Sequence, residues 1–282
     1  MKVLIPTDGT NAAVPAIMQA GFAARTLGAK LTLLAVVRSK NRLPESQAIL
    51  EHAQRILREI NVEAETRTRL GHPLTELLAE VAESAYDLVV MGGLRVLSWP
   101  ERFAGDAARS MLSAMPTAVL FAKGVSDDFD RILLCDSLGL DGTLIRVLNK
   151  RFPQFFKGKR QITILHVMSQ IGAQPGVKSW ELRASAEELI GAGTIEGQRI
   201  QEELSALTAR FRSQVKPKIR HGVVVEEIMA EADEGGYDLI VVGAHHGAGW
   251  QRLLLENLAS LIIASSRKPV LVLPGSQPAE HL

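Results

Sequence analysis

The stretch "YDLVVMGG" at Tyr86–Gly93 returns as "YDLIVVGA" at Tyr237–Ala244, an offset of 237 − 86 = 151 residues. A repeat of this length is domain-sized, so the chain is expected to build one architecture twice. "KVLIPTD" at Lys2–Asp8 returns loosely as "RILLCDS" at Arg131–Ser137. Setting Asp8 against Asp136 gives an offset of 136 − 8 = 128, so the second copy is longer by 151 − 128 = 23 residues. "LTLLAV" at Leu31–Val36 matches "ITILHV" at Ile162–Val167, and this match puts about 20 of the extra residues after the second strand, in Ser169–Val215.

Each copy alternates short apolar runs with longer amphipathic ones. In the first copy, strands are expected at Val3–Thr7, Leu31–Val37, Val62–Arg69, Leu88–Met91 and Thr117–Phe121. Helices are expected between them at Ala12–Leu27, Glu45–Ile60, Pro73–Ser84 and Glu101–Ser113. In the second copy, strands are expected at Ile132–Cys135, Gln161–Val167, Lys216–Arg220, Leu239–Val242 and Val270–Leu273. Runs such as "DLVVMG" and "DLIVVG" are apolar at successive positions, as in strands covered on both faces. The strand–helix order then implies an α/β fold with parallel sheets and helices on both sides. The first domain is expected over 1–124, a polar linker over 125–130 and the second domain over 131–282. The two final strands, "TAVLFA" and "PVLVLP", would be apolar edges if left alone, so they are expected to cover each other.

Charge excludes some partners. The net charge is +1. The part up to Gly124 holds 14 Lys+Arg against 12 Asp+Glu, and the remainder 18 against 19. Neither half is a basic module for nucleic acid or an acidic membrane surface. The apolar start of "MKVLIPTDG" is too short for a secretory signal, and no apolar run approaches the roughly 20 residues of a membrane span. Cys135 is the single cysteine, so no intrachain disulfide can form, which suits a cytoplasmic protein.

In parallel sheets of this kind, ligands bind beyond the carboxyl ends of the strands, where the strand order reverses. The residues ending strands one, two and four are Asp8, Val36 and Gly92 in the first copy, and Asp136, Val167 and Gly243 in the second. After Gly243 the chain reads "AHHGAGWQRLLLENLAS", a glycine-containing loop running into a helical pattern.

Taken in order and twice over, "LIPTDGT", "LTLLAVV", "TILHVM", "YDLIVVGAHHGAG…RLLLENLA" and "KPVLVLP" resemble the universal stress protein family, present in tandem. The resemblance covers nearly the whole chain. It implies two Rossmann-like (adenine nucleotide alpha hydrolase-like) domains, each a five-stranded parallel sheet with helices on both faces. It also implies a stress-response binding or signalling module whose ATP-binding members carry Gly-x2-Gly-x9-Gly-[Ser/Thr] after the fourth strand. In those members the carboxylate ending the first strand faces the nucleoside, and backbone at the end of the second meets the adenine. The glycines let backbone N–H groups reach the phosphates at a helix N-terminus.

This chain departs from that motif. In the second copy Gly243 holds the first place, His246 the second, and Glu256-Asn257 replaces Gly-[Ser/Thr], with Gly247 and Gly249 keeping the loop compact. In the first copy the series is Gly92, Arg95 and Gly105-Asp106. An acid at the phosphate end repels a triphosphate unless it turns away or holds a metal. The resemblance therefore implies weak or altered binding of ATP or AMP, or of another small ligand, through the residues named. It implies pairing of the two domains within the chain and leaves a homodimer open.

Other readings stand beside this one. Both pockets could be defunct in a purely structural or protein-interaction module. A slow ATP hydrolase or nucleotidyl-transfer enzyme is a third reading, but no nucleophile elbow, phosphate-loop lysine or base–nucleophile arrangement is present. Asp8 and Asp136 can simply tie the turns that follow them. His245, His246, His166 and Asp136 are proper metal-ligand types, yet their spacing matches no known site, and solvated histidines are the expectation. "GAGTIEG" at Gly191–Gly197 follows a helical pattern and not a strand, so it is expected to break a helix and not to bind a dinucleotide. Cys135 is expected to pack, as are Trp99 and Trp250 after the glycine loops.

Overall fold

The all-apolar runs form the strands at the centre of each sheet. In the computed structural model the described residues are 1–92, 110–124, 129–135, 143–153, 160–168, 184–208, 214–244 and 250–274. They fall into two units, Met1–Asp128 with Ala244–Pro274, and Phe129–Gly243 with Gly275–Leu282. The expected linker 125–130 lies for the most part outside the described residues.

The first unit holds β1 (Lys2–Pro6), β2 (Lys30–Val37), β3 (Ala64–Leu70), β4 (Leu88–Met91) and β5 (Ala118–Phe121) in the order β3-β2-β1-β4-β5. All of these neighbours are parallel. Every residue of β4 and β5 is buried, as the continuous apolar runs require. The outer strand β3 differs. Its Glu65, Thr66, Arg67 and Thr68 are exposed, and a charged edge resists pairing with other chains. On the other side β5 pairs antiparallel with β10 (Val270–Pro274), setting Val272 against Val119 and Val270 against Phe121. The two final strands do cover each other.

Helices α1 (Val14–Leu27), α2 (Leu43–Glu59) and α3 (Pro73–Ser84) each carry a proline in the first turn, where its missing N–H costs nothing. The helix expected from Ala12 begins instead with a 3₁₀ turn at Asn11–Ala13, held by the Ala13 N–H on the Thr10 carbonyl at 3.0 Å. Of the helix expected at 101–113, residues 110–114 are described and helical.

The second unit holds β6 (Arg131–Cys135), β7 (Gln161–Met168), β8 (Gln214–His221) and β9 (Leu239–Ala244), parallel, in the order β9-β6-β7-β8. The outer strand β8 is guarded by Lys216, Pro217 and Lys218, as β3 is by its charges. Helix α4 (Thr143–Arg151) follows β6. The added segment after β7 forms α5 (Ala186–Gly191) and α6 (Ile195–Thr208), broken within "GAGTIEG" as expected. Ser185 and Glu188 cap α5 reciprocally, and Gly193 turns the chain at φ +64°. Gly197 lies against the Leu189 carbonyl with no room for a Cβ. Helices α7 (Val224–Glu234) and α8 (Trp250–Ser265) complete the described elements, α8 lying in the first unit.

Strand pairing corrects one alignment. Val3 pairs with Leu88 in β4, and Ile132 pairs with Leu239 in β9. Since 239 − 88 = 151 and 132 − 3 = 129, the first strands correspond at 129 and not 128. Asp136 therefore follows Cys135 as Thr7 follows Pro6, and Asp8 corresponds to Ser137. The extra length becomes 151 − 129 = 22 residues, of which 151 − (162 − 31) = 20 follow β7.

The repeat also carries an ion-pair cluster that strand and helix patterns do not reveal. On α3, Glu76, Glu80 and Glu83 share one face at i, i+4 and i+7 and converge on Arg69 of β3 at 2.8–2.9 Å. On α7, Glu227, Glu231 and Glu234 converge likewise on Arg220 of β8 at 2.7–2.9 Å. Each member stands 151 residues from its counterpart, and Tyr86 and Tyr237 each donate their hydroxyl to the central glutamate. The central carboxylates are only 2% (Glu80) and 1% (Glu231) exposed, so pairing is what makes their burial tolerable.

Candidate functional site

In the first unit β1 lies between β2 and β4, so the chain leaves β1 toward strands on either side. That is where a crevice opens in a parallel sheet. Past Pro6 the pairing continues for one bond, with the Thr7 N–H on the Leu34 carbonyl at 2.9 Å. The chain then folds into a tight turn. Asp8 Oδ1 accepts from the Thr10 N–H at 3.0 Å and from Thr10 Oγ1 at 2.7 Å. The Gly9 N–H donates to Thr7 Oγ1 at 3.3 Å. Gly9 has φ +76°, and a Cβ there would come within 2.9 Å of Ile49 on α2. Both facts require glycine at this position. The turn thus spends one oxygen of Asp8 on its own backbone and leaves Oδ2 with no partner among the described residues.

Val36 pairs with Arg69 near the end of β2 and is partly buried. Gly92 directly follows β4. A Cβ on Gly92 would run into the Ala12 carbonyl oxygen, so this glycine lets the 3₁₀ turn sit against the end of β4. The fold therefore brings Asp8, Val36 and Gly92 to one end of one sheet. Arg95, Gly105 and Asp106 lie outside the described residues.

In the second unit β6 lies between β7 and β9 in the same way. Val167 pairs with Arg220, and Gly243 falls within β9, both partly buried. Asp136, His245, His246, Gly247 and Gly249 lie outside the described residues, as does Trp99. Helix α8 begins at Trp250, so Glu256 and Asn257 are its seventh and eighth residues. The N–H groups that a helix leaves unpaired belong to its first turn, before these positions. Cys135 ends β6 and is partly exposed. His166 lies in β7, and among the described residues no three His, Cys, Asp or Glu side chains group as metal ligands would.

The ion-pair clusters set the electrostatics at the outer strands. Hydrogen bonds donated to Glu83, Glu76 and Glu80 push the Arg69 guanidinium above its ordinary range, and Arg69 in turn holds Glu83 below its own. Burial pushes the Glu231 carboxyl up, but hydrogen bonds from Lys218, Tyr237 and Arg220 outweigh it, so the group stays below its ordinary value. Burial also pushes the Tyr237 phenol up to about 12. These groups tie each outer strand to the helix that follows it.

A model of the universal stress protein family matches residues 1–123 and 157–274. The chain belongs to the universal stress protein family. A universal stress protein of Methanocaldococcus jannaschii is 31% identical over 98 residues, 35% of this chain. The chain spans about half, 54%, of that relative's length. The structure of a universal stress protein from Archaeoglobus fulgidus matches with a TM-score of 0.66 at 17% identity, covering 98% of this chain and 97% of the other. A functionally unknown protein from Pseudomonas aeruginosa PAO1 matches with a TM-score of 0.65 at 18% identity, covering 97% and 92%. Identities this low show a shared fold and nothing finer. The universal stress protein match falls on both copies, so the tandem α/β arrangement holds. Among the described residues no helix is long and apolar enough to cross a membrane.

Proposed function

We propose that this universal stress protein is a cytoplasmic stress-response module that binds an adenine nucleotide weakly or in altered form. The observation that carries the reading is the turn at the end of β1. Asp8 keeps one carboxylate oxygen unpartnered among the described residues, between the ends of β2 and β4, where a nucleoside's hydroxyls can be held. Val36 and Gly92 flank it, with Arg95 and Gly105 completing the set in the first copy. In the second copy the proposed contacts are Asp136, Val167, Gly243, His246, Gly247, Gly249 and Asn257. Glu256 and Asp106 stand where the family motif has small residues. Each puts negative charge near a polyphosphate, so AMP fits better than ATP.

A second reading, a protein-interaction module with no nucleotide, is favoured by one observation. The Asp8 turn and Gly92 both have complete structural reasons to exist, in the Thr10 contacts and the Ala12 carbonyl. The deciding measurement is mass spectrometry of the supernatant after denaturing the purified protein. Stoichiometric adenine nucleotide, or AMP binding by calorimetry, is expected. No retained nucleotide and no heat with adenosine, AMP or ATP would leave the interaction module as the reading.

A further inference from the structure

Unsatisfied polar chemistry in the first unit collects at the end of β5. Gln19, on α1, is only 2% exposed. Its Nε2 donates to the carbonyl oxygens of Lys123 and Gly124, each at 3.4 Å. Its Oε1 is buried without a hydrogen-bond partner. Lys123 itself is half-buried, and no carboxylate among the described residues pairs with its ammonium. The place is set by the sheet. Met91 pairs with Phe121, and the Ala122 N–H donates to the Met91 carbonyl at 2.7 Å. Lys123 therefore follows at the strand ends next to Gly92. A buried amide oxygen and a half-buried ammonium, each without a partner, are both costly, and native proteins rarely leave such groups unmatched.

We propose that Lys123 and Gln19 form a phosphate subsite of the first unit, for a phosphate monoester such as that of a nucleoside monophosphate. The Lys123 ammonium takes a phosphate oxygen, and Gln19 Oε1 takes a hydroxyl donor of the same ligand. The subsite rests on the nucleotide reading above and adds a second cation to the proposed Arg95 contact. Burial pushes the Lys123 amine below its ordinary value, a cost to its charged form that an anion beside it would relieve. An ammonium at this place acts as a point charge on the anion, so arginine can replace it in part.

The test uses the full chain, with calorimetry for adenosine, AMP and inorganic phosphate on wild type, Lys123→Met and Lys123→Arg. Loss of one charge-assisted contact is expected to weaken AMP by about tenfold or more in Lys123→Met. Adenosine should bind both proteins alike, and Lys123→Arg should recover part of the loss. In parallel, lysines are acylated with limiting acetic anhydride and read by mass spectrometry. AMP or inorganic phosphate should protect Lys123. Unchanged AMP affinity in Lys123→Met, or equal acylation of Lys123 with and without both anions, would overturn the subsite. If neither adenosine nor AMP binds wild type, the nucleotide reading fails. Protection of Lys123 by inorganic phosphate then decides the subsite alone, and no protection rejects it.

Discussion

Asp8 has two separable jobs at one side chain. Its Oδ1 accepts from the Thr10 backbone and hydroxyl, which is a structural task that any side-chain carbonyl can do. Its charge matters only to a ligand. Asp8→Asn should therefore leave the unfolding midpoint almost unchanged while weakening any ligand whose hydroxyls need a carboxylate. Asp8→Ala removes the acceptor and should cost about 1–2 kcal/mol, typical of two lost hydrogen bonds in a partly exposed turn. Thermal melts and calorimetry on the two variants separate the jobs. A ligand affinity identical in wild type and Asp8→Asn would mean that the carboxylate serves the turn alone. Gly92 shows the same ambiguity from the other side. The Ala12 carbonyl requires a glycine there with or without a phosphate, so the residue type does not report a ligand.

At the scale of elements, the two ion-pair clusters pin α3 to β3 and α7 to β8, but they are not equal. Lys218 Nζ reaches Glu231 at 2.6 Å, whereas the corresponding Arg67 is 4.0 Å from Glu80. Removing Arg220 leaves the buried carboxylate with Lys218 and Tyr237. Removing Arg69 leaves Glu80 with Tyr86, the Ser84 hydroxyl at 3.3 Å and a distant cation. Arg69→Met should destabilise the chain by about 3 kcal/mol and Arg220→Met by less, about 1–2 kcal/mol, since a stranded buried charge is the larger penalty. Urea melts at pH 7 check the order, and equal losses would deny the second cation any role. The clusters also set the response to acid. Glu83, Glu231 and Glu234 have folded-state pKa values held below the ordinary 4.5. A depressed carboxylate binds its proton more readily in the unfolded chain. Its stabilisation is therefore present above the ordinary value and is lost as pH falls from there through the folded value. Stability should be flat in this contribution above about pH 5 and fall below it. The Arg69→Met/Arg220→Met double variant should show a shallower fall between pH 5 and 3 in the same melts.

For the whole molecule, the arrangement follows from how exposed strand edges are dealt with. The outer strands β3 and β8 carry Arg, Lys and Pro, which discourage pairing. Strand β5 carries no such guard, and all of "AVLF" is buried beside β10. A fragment of residues 1–124, the proposed first domain, would uncover that apolar edge. It should self-associate, and Val119→Lys should return it to a monomer, as measured by size exclusion with light scattering. A monomeric wild-type fragment would show that β5 needs no partner and would weaken the proposed boundary.

The repeat, the strand–helix alternation and the break in the added segment were legible because periodicity reports local structure directly. Apolar runs found the buried strands, and Gly191–Gly197 found the division between α5 and α6. The resemblance named the family from short ordered motifs. The one-residue difference between offsets 128 and 129 was not legible, because an aspartate at a strand end attracts an alignment while only the pairing partners fix the register. The Arg69 and Arg220 clusters were hidden for a related reason. Glutamates at i, i+4 and i+7 look like a solvated helix face until the short turn before the helix folds the arginine of the preceding strand against them. The sequence by itself determined the elements and the duplication, since these depend on neighbours along the chain. Only the tertiary structure decided which polar groups are satisfied at the strand ends, because a hydrogen bond such as Gln19 to Lys123 joins residues 104 apart.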